Sequence, residues 1–357
     1  MIETKTSADT KWLPEKRRTL KRTVPFLVIG LLIFIAYLYF FVDIPEMLTT
    51  IQHINLFYYS LAVAVLLLNM LAYSLTWQYF LRPLSINVPF KKTFLITWVG
   101  IFVEFFVPSE SIGEDASKAY LMTKESGENT GKVVASVLGH RILSMVVTLS
   151  TLIICSLSLF ITQYELHALV LNLILLIIVG TAIPLIFLFL LFLKKDLTQK
   201  LVDLLLRFFT FVSRGRLKLA SLRSKARKAL SAFHQSIEVL GRNPRSLVQP
   251  VFFSIVCYFL SILVSYLVFF SLGYPVSFVL LTIVYSISRS LQSIPTMLPG
   301  EVGFIEIVMT TLYIALLGPQ AAAVSAAATV LIRVLWVWFR LPLGFIAVQW
   351  VVSRGLV

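Results

Sequence analysis

Apolar residues occur along this chain in six long runs that contain few charged positions. Each run has about 20 residues or more, and about 20 apolar residues in a helix cross the roughly 30 Å hydrocarbon core of a bilayer. The pattern therefore predicts six transmembrane helices. They cover residues 24–43, 55–80, 133–160, 168–193, 247–271 and 322–350.

Composition supports an all-α polytopic membrane protein. Only 13% of the residues are charged and 58% are hydrophobic, whereas a soluble domain carries about a quarter charged residues. The mean hydropathy is +0.90. Both cysteines, Cys155 and Cys257, fall inside apolar runs, so they indicate neither a disulfide framework nor a zinc site.

The formal net charge of +14 is concentrated in two segments, residues 1–23 and 194–245. Both flank apolar runs, as the positive-inside rule expects of cytoplasmic segments, and each basic residue near a membrane surface adds about 1 kcal/mol of attraction to anionic headgroups. We therefore expect membrane lipids as partners and no nucleic acid. The first run is long for a signal peptide and lacks a small-residue cleavage site, which favours a retained anchor.

Loop charges predict the orientation of the helices. The segments 43–54, 161–167, 272–276 and 318–320 contain no Lys or Arg, whereas the N-terminus, the 82–92 and 118–132 loops, the 194–245 segment and the end of the chain do. One arrangement satisfies every loop, with both termini in the cytoplasm. The localisation we expect is the plasma (cytoplasmic) membrane.

Residues 93–122 form an interrupted segment that begins and ends among lysines, so it is not expected to cross the membrane. Its apolar first part breaks at Pro108, and the return arm is too polar to face lipid. Irregular backbone at membrane depth is tolerated only inside protein or beside a water-filled cavity. We predict a re-entrant hairpin, with Ser111 and Glu114 as a capping box for its return arm.

A second interrupted segment, residues 277–317, breaks at Pro299 and Gly300. Both arms are apolar enough to cross, so the sequence leaves open whether this segment is re-entrant or spans twice.

The two breaks stand in matching positions. Pro108 precedes Arg141 by about as many residues as separate Pro299 from Arg333. The chain thus has the pattern of an inverted repeat, which points to a substrate site near the midplane. The first repeat lies within residues 24–193, which also contain the first span of the second repeat (168–193). A basic linker follows at residues 194–245, and the rest of the second repeat lies in residues 246–357.

The residues around both breaks resemble the lysylphosphatidylglycerol synthase transmembrane region, a flippase-like family. The first resemblance covers residues 108–121 with Ala135–Leu138 and Arg141, and the second covers residues 299–303 with Glu306. The sequence departs from the family pattern at Lys118, His140 and Glu301. The resemblance extends from about residue 20 onward and implies a membrane domain that moves or presents lipids, here expected without an attached enzymatic domain.

Three arginines are predicted to lie near the membrane midplane, at about 12–18 Å along their helices. They are Arg141, Arg289 and Arg333. A charge there costs at least about 2.5–3.5 kcal/mol, so such residues face the protein interior or a cavity. Two hypotheses remain open: the guanidinium groups bind a lipid phosphate, or they pair with carboxylates such as Glu104, Glu114 or Glu306. Arg340 is expected to snorkel to the inner interface.

Other polar residues complete the predicted site. Glu114 and Lys118 have the spacing of an ordinary helix ion pair, although Lys118 is also a headgroup candidate. His140 is a possible proton carrier. The carboxylates expected to set polarity and gating are Glu110, Glu114, Glu301 and Glu306, and the hairpin tips are Pro108, Gly113, Pro299, Gly300 and Gly303. No metal, cofactor or catalytic motif is predicted.

The basic segment 194–245 is predicted to form an amphipathic helix followed by a second helix from about residue 217 to 240, both at the cytoplasmic interface. It is interpreted as a positive-inside linker or as a docking surface for a lipid-modifying enzyme. The function we expect is translocation of an anionic or polyprenyl-phosphate-linked lipid. The alternatives are a scaffold that presents lipid to a partner synthase or glycosyltransferase, and a lipid-modifying membrane enzyme.

Overall fold

The computed structural model describes residues 16–106, 112–164, 168–212, 219–292 and 298–353. These residues form an all-α, multi-pass membrane protein without β-strands. The helices are α1 (Lys16–Phe41), α2 (Ile44–Gln52), α3 (Leu56–Leu81), α4 (Phe90–Phe106), α5 (Ile112–Ser126), α6 (Thr130–Ile161), α7 (Ala168–Leu193), α8 (Lys195–Val212), α9 (Leu219–Arg242), α10 (Val248–Ser271), α11 (Phe278–Leu291), α12 (Phe304–Leu317), α13 (Ala322–Arg333) and α14 (Arg340–Ser353).

Within the described ranges, six helical segments are long and apolar enough to cross a membrane. They are Leu56–Leu81, Thr130–Ile161, Val170–Leu191, Pro244–Ser271, Pro299–Leu317 and Pro319–Ser353. Five of them coincide with predicted spans. Residues 24–41 of the predicted span 24–43 lie in α1, which meets the criterion only together with α2, across a bend of 102°.

The predicted loop 43–54 is wrong, because it contains α2. Asp43 accepts a hydrogen bond from the Glu46 backbone N–H at 3.1 Å and caps the helix, while Pro45 occupies its first turn. Met47 is buried and belongs to a cluster with Ala326 and Ala327 of α13. Packing against α13 therefore stabilises a helix that would be marginal in isolation at this length.

The predicted loop 118–132 is also mostly helical, because α5 continues to Ser126 and α6 begins at Thr130. The N-terminus of α6 is covered by α9. A Cβ atom on Gly131 would lie 1.8 Å from the carbonyl oxygen of Ala229, so the two backbones approach as closely as glycine permits. Phe233 and Leu240 of α9 are buried. The linker helix is thus docked on the membrane domain.

The first interrupted segment folds as two helices, α4 and α5, that pack against each other. A Cβ atom on Gly100 would lie 3.0 Å from Cγ of Glu114, which brings the middle of α4 against the start of α5. Gly113 is buried in the first turn of α5. The predicted break at Pro108, with Glu110 and the capping residue Ser111, lies outside the described residues.

The first arm of the second interrupted segment is the short helix α11. α11 contains 14 residues, or about 21 Å of helix against a core of about 30 Å. The turn that follows has Gly300 at φ 58°, Glu301 at φ 54° and Gly303 at φ 91°. A Cβ on Gly300 would lie 2.3 Å from Cε2 of Phe105, so glycine lets this turn sit directly on the end of α4.

The last predicted span, 322–350, is helical but not regular. A π-helical stretch, Val334–Trp338, separates α13 from α14. Such stretches are rare and frequently occur at functional sites. This one lies beside the cavity described next, where it places Trp336 and Arg340.

Candidate functional site

A central cavity of about 230 Å³ lies where the two interrupted segments meet. Helices α3, α4, α5, α6 and α10–α14 all contribute side chains to its wall, together with the turn around Gly300. Its wall combines aromatic and hydroxyl side chains with six charged ones. The charged residues are Glu104, Glu114, Arg289, Glu301, Arg333 and Arg340.

Arg333 is held by the turn of the second interrupted segment. Its Nε donates to Oε1 of Glu306 at 2.7 Å, and its NH2 group donates to the carbonyl oxygen of Gly300, also at 2.7 Å. The other oxygen of Glu306 accepts the backbone N–H of Gly303 at 2.7 Å. One buried ion pair therefore fixes the turn, the start of α12 and the end of α13 together.

Arg141 forms the corresponding contact in the first half. Its NH1 group donates to Oδ2 of Asp115 at 2.8 Å. This pair spans 26 residues and the Arg333–Glu306 pair spans 27, and in both the carboxylate lies in the first turns of the return helix. The two pairs thus have similar spacing, and the inverted repeat stays a prediction. Asp115 was missed in the sequence, because the carboxylates considered as partners for the arginines were Glu104, Glu114 and Glu306.

Glu114 is engaged by Lys118 and Tyr73 instead. The Lys118 ammonium group contacts Oε1 of Glu114, and the Tyr73 hydroxyl donates to the same oxygen at 2.8 Å. The side chains of Lys118 and Glu114 are only 1% and 5% exposed, and the ammonium lies 5.4 Å from the Trp77 ring. The pair is thus buried in the protein rather than a solvated pair on a helix surface, and Lys118 does not line the cavity.

His140 lies beside this group, with its ring centroid 4.7 Å from that of Tyr73. The side chain is buried, and its Nε2 atom has no hydrogen-bond partner among the described residues. It lines the central cavity and also a smaller one of about 70 Å³. Arg141 and Asp115 lie in the wall of the smaller cavity, where they are 25% and 21% exposed.

Arg289 is exposed and Arg340 is half-buried. They differ from the other cations of the site, because neither forms a salt bridge within the described part of the chain. Arg289 has a long contact of 3.3 Å to Oε1 of Gln292. The Arg340 guanidinium lies 5.2 Å from the ring centroids of both Trp98 and Trp336, and its buried Nε has no hydrogen-bond partner among the described residues. The expectation that Arg340 snorkels is wrong: it lines the cavity.

The remaining predicted positions surround this centre. Glu301 lies in the cavity wall beside Gly300, and Pro299 is buried in the same turn. Arg340 was missed as a site residue because the irregular Val334–Trp338 stretch, which brings it to the cavity, has no signature that the sequence analysis used. The signal in the sequence that could have indicated the position of Arg340 was the presence of Trp98 and Trp336, whose rings lie beside its guanidinium group.

Comparisons with known proteins identify the family. The model of the lysylphosphatidylglycerol synthase TM region matches residues 27–344. The chain is 27% identical over 296 residues to a UPF0104 membrane protein of Pyrococcus horikoshii, covering 81% of this chain and 85% of the relative. It is 25% identical over 340 residues to a UPF0104 membrane protein of Methanocaldococcus jannaschii, and the match covers 93% of this chain and 95% of the relative. A UPF0104 membrane protein of Methanothermobacter thermautotrophicus is 24% identical over 303 residues, and the match covers 82% of this chain and 85% of the relative. The chain therefore belongs to the family of the lysylphosphatidylglycerol synthase TM region.

Proposed function

We propose that this protein moves an amphipathic lipid with an anionic headgroup, such as an anionic phospholipid or a phosphate-linked polyprenyl carrier, across the membrane through the central cavity. The observation that carries the proposal is the pair of cavity-lining arginines without a salt bridge among the described residues, Arg289 and Arg340. Guanidinium groups suit phosphate because their planar fork of donors matches its oxygens.

The arrangement assigns different roles to the arginines. Arg333 satisfies its donors with Glu306 and Gly300, so it is proposed to hold the turn rather than the headgroup. Arg141 is proposed to act at the smaller cavity, where its partly exposed pair with Asp115 can exchange one anion for another. Arg289 and Arg340 then provide the central headgroup site.

The cavity also suits an amphipathic ligand. The cavity wall contains Trp336 and Phe102, and the outer faces of α6 and α7 expose large apolar side chains such as Ile154 and Leu176. A headgroup in the cavity with its acyl chains outside would keep each part of a lipid in a matching environment. The proposed setting is the plasma membrane, with both termini in the cytoplasm because the basic segments flank the spans.

The test is transbilayer movement of fluorescent lipids in proteoliposomes that contain the purified protein. The panel is phosphatidylglycerol, phosphatidylcholine and a polyprenyl phosphate. We expect movement of an anionic lipid and not of zwitterionic phosphatidylcholine. Equal movement of all lipids would contradict the headgroup site, and no movement of any lipid by folded protein would contradict translocation.

A second candidate function is a scaffold that presents lipid to a lipid-modifying enzyme. The observation that favours it is the docking of α9 on α6 at Gly131, which gives this basic helix a fixed position against the membrane domain. Co-purification of such an enzyme, together with absence of lipid movement, would support this function over translocation.

A further inference from the structure

One side of the central cavity carries hydroxyl groups and no charge. α10, whose residues Val248–Ser271 contain no Asp, Glu, Lys, Arg or His, contributes four hydroxyl side chains that recur at the spacing of one helix face. Thr148 of α6 and Ser288 of α11 also line the cavity. We call these six residues the hydroxyl side, and the four on α10 are Ser254, Tyr258, Ser261 and Ser265.

Several oxygen atoms of the hydroxyl side are available only as hydrogen-bond acceptors. Thr148 and Ser261 donate their hydroxyl protons to carbonyl oxygens of their own helices, at 2.9 and 3.0 Å. Tyr258 contacts Oγ of Ser286, and because Ser286 already donates to the carbonyl oxygen of Thr282, Tyr258 is the donor of that contact. A hydroxyl group has a single donor. An ionised phosphate offers acceptors only, so it cannot pair with these three oxygens.

Two further polar atoms in the cavity wall have no hydrogen-bond partner among the described residues. They are Oγ of Ser288 and Nε2 of His140, in residues that are only 5% and 3% exposed and that line the cavity. Burial of a polar group without a partner is unfavourable. A hydroxyl group of a ligand both donates and accepts, so it can pair with Ser288 and with either tautomer of the His140 ring. Both atoms thus favour a ligand that carries hydroxyl groups.

We propose that the phosphate of the lipid headgroup bears a polyhydroxylated group, a sugar or another polyol, and that this group binds to the hydroxyl side. The position of the phosphate at Arg289 and Arg340 rests on the proposed function, whereas the preference for hydroxyl groups rests on the hydrogen-bonding capacity of the hydroxyl side. Ser288 directly precedes Arg289 in α11, and both line the cavity. A phosphate held by Arg289 would therefore have its substituent beside the hydroxyl side.

Displacement of water accounts for the specificity of such a site. A headgroup that enters the cavity replaces water on the hydroxyl side, and affinity is lost where the entering group cannot reproduce the hydrogen bonds of that water. A site built to bind hydroxyl groups also discriminates against analogues that lack them, because its own polar atoms are then left unpaired. Lipids of equal charge should consequently differ in affinity according to the hydroxyl groups of their headgroups.

The test is native mass spectrometry of the purified full chain in detergent, with competing phosphatidylinositol, phosphatidylglycerol and phosphatidylpropanol at equal concentration. With matched acyl chains these lipids have the same charge, and their headgroups carry a cyclic polyol, a diol and no hydroxyl group. We expect phosphatidylinositol to bind at least about tenfold more tightly than phosphatidylpropanol, because several hydrogen bonds differ, with phosphatidylglycerol between them. Equal binding of the three lipids would overturn the inference. A glucosyl polyprenyl phosphate is included as a fourth ligand, and its rank against phosphatidylinositol tells whether the carrier is an isoprenoid or a phospholipid.

Ser288→Ala tests the hydroxyl side directly. It should lower the affinity for phosphatidylinositol about threefold to tenfold, the effect of one lost hydrogen bond, and leave the affinity for phosphatidylpropanol unchanged. Arg340→Ala should weaken the binding of all three phospholipids alike. The matched control is Ser325→Ala, because Oγ of Ser325 is also buried without a partner in the described structure but Ser325 does not line the cavity. A Ser288→Ala variant that binds every lipid like the wild type, or that loses affinity for all of them equally, would overturn the inference.

Lipid movement in proteoliposomes separates this inference from the proposed function. Preferential binding of phosphatidylinositol without movement of any lipid would contradict translocation and leave the hydroxyl side standing as a binding site. Movement of phosphatidylglycerol and phosphatidylpropanol at equal rates, together with equal binding, would contradict the inference and leave translocation standing.

Discussion

Arg333 donates from Nε to Oε1 of Glu306 at 2.7 Å, and this buried contact joins the end of α13 to the first turn of α12. Glu306 simultaneously accepts the N–H of Gly303, and Arg333 donates to the carbonyl oxygen of Gly300. Two side chains thereby satisfy backbone groups of an irregular turn that would otherwise be unpaired inside the membrane.

Arg333→Ala is expected to destabilise the protein by about 3–5 kcal/mol, because it leaves the Glu306 carboxylate buried without its partner. The measurement is thermal or denaturant unfolding in a mild detergent. Arg333→Met combined with Glu306→Leu should cost less than the single change, since no charge is then left unpaired. The matched control is Arg242→Ala, whose exposed pair with Glu238 is expected to contribute at most about 0.5 kcal/mol. Equal stability of Arg333→Ala and wild type would contradict the structural role.

Gly300→Ala is expected to disturb the contact between the second turn and α4. The backbone has φ 58°, which costs a residue with a Cβ roughly 1–2 kcal/mol, and the Cβ would also overlap the Phe105 ring. The expected result is a lower unfolding temperature in detergent. In a Phe105→Ala background the same change should cost less, leaving mainly the backbone contribution. The comparison is Gly180→Ala, where a Cβ meets no atom within 4 Å and no loss is expected.

Gly131→Ala tests the docking of the linker helix. The added Cβ would overlap the Ala229 carbonyl group, so α9 must move away from α6. Faster amide hydrogen exchange around Phe233 and Leu240 is expected, together with faster proteolysis within residues 194–245. Gly241→Ala, at a position of α9 with open space, should exchange like the wild type. Unchanged exchange in Gly131→Ala would show that the close approach is absent in the membrane.

Much of the fold could be predicted because the membrane imposes it. The apolar runs had to be about one bilayer long, and five of the six coincide with segments long enough to span. α2 could not be predicted in this way, because its nine residues are too few to be recognised as a span. Its helix is stabilised by packing against α13, which the sequence pattern does not reveal. The predicted break at Pro299 and Gly300 was informative because only glycine accepts that contact with Phe105.

The site was predictable only in part. Arginines deep within apolar runs are conspicuous in a sequence, so Arg141, Arg289 and Arg333 could be singled out from position alone. Their partners could not, because one residue of helix rotation decides whether Glu114 or Asp115 meets Arg141. Arg340 was misplaced for the same reason: it follows a π-helical stretch whose altered rotation turns it inward.

The most direct test of the central claim is movement of fluorescent phosphatidylglycerol in proteoliposomes by wild type, Arg289→Ala, Arg340→Ala and Arg242→Ala, each reconstituted at equal amount after a folding check. The predicted result is at least about a tenfold loss of rate for Arg289→Ala and for Arg340→Ala, equivalent to about 1.4 kcal/mol, and none for the exposed Arg242→Ala. Wild-type rates in both cavity variants would contradict the claim that these arginines bind the headgroup.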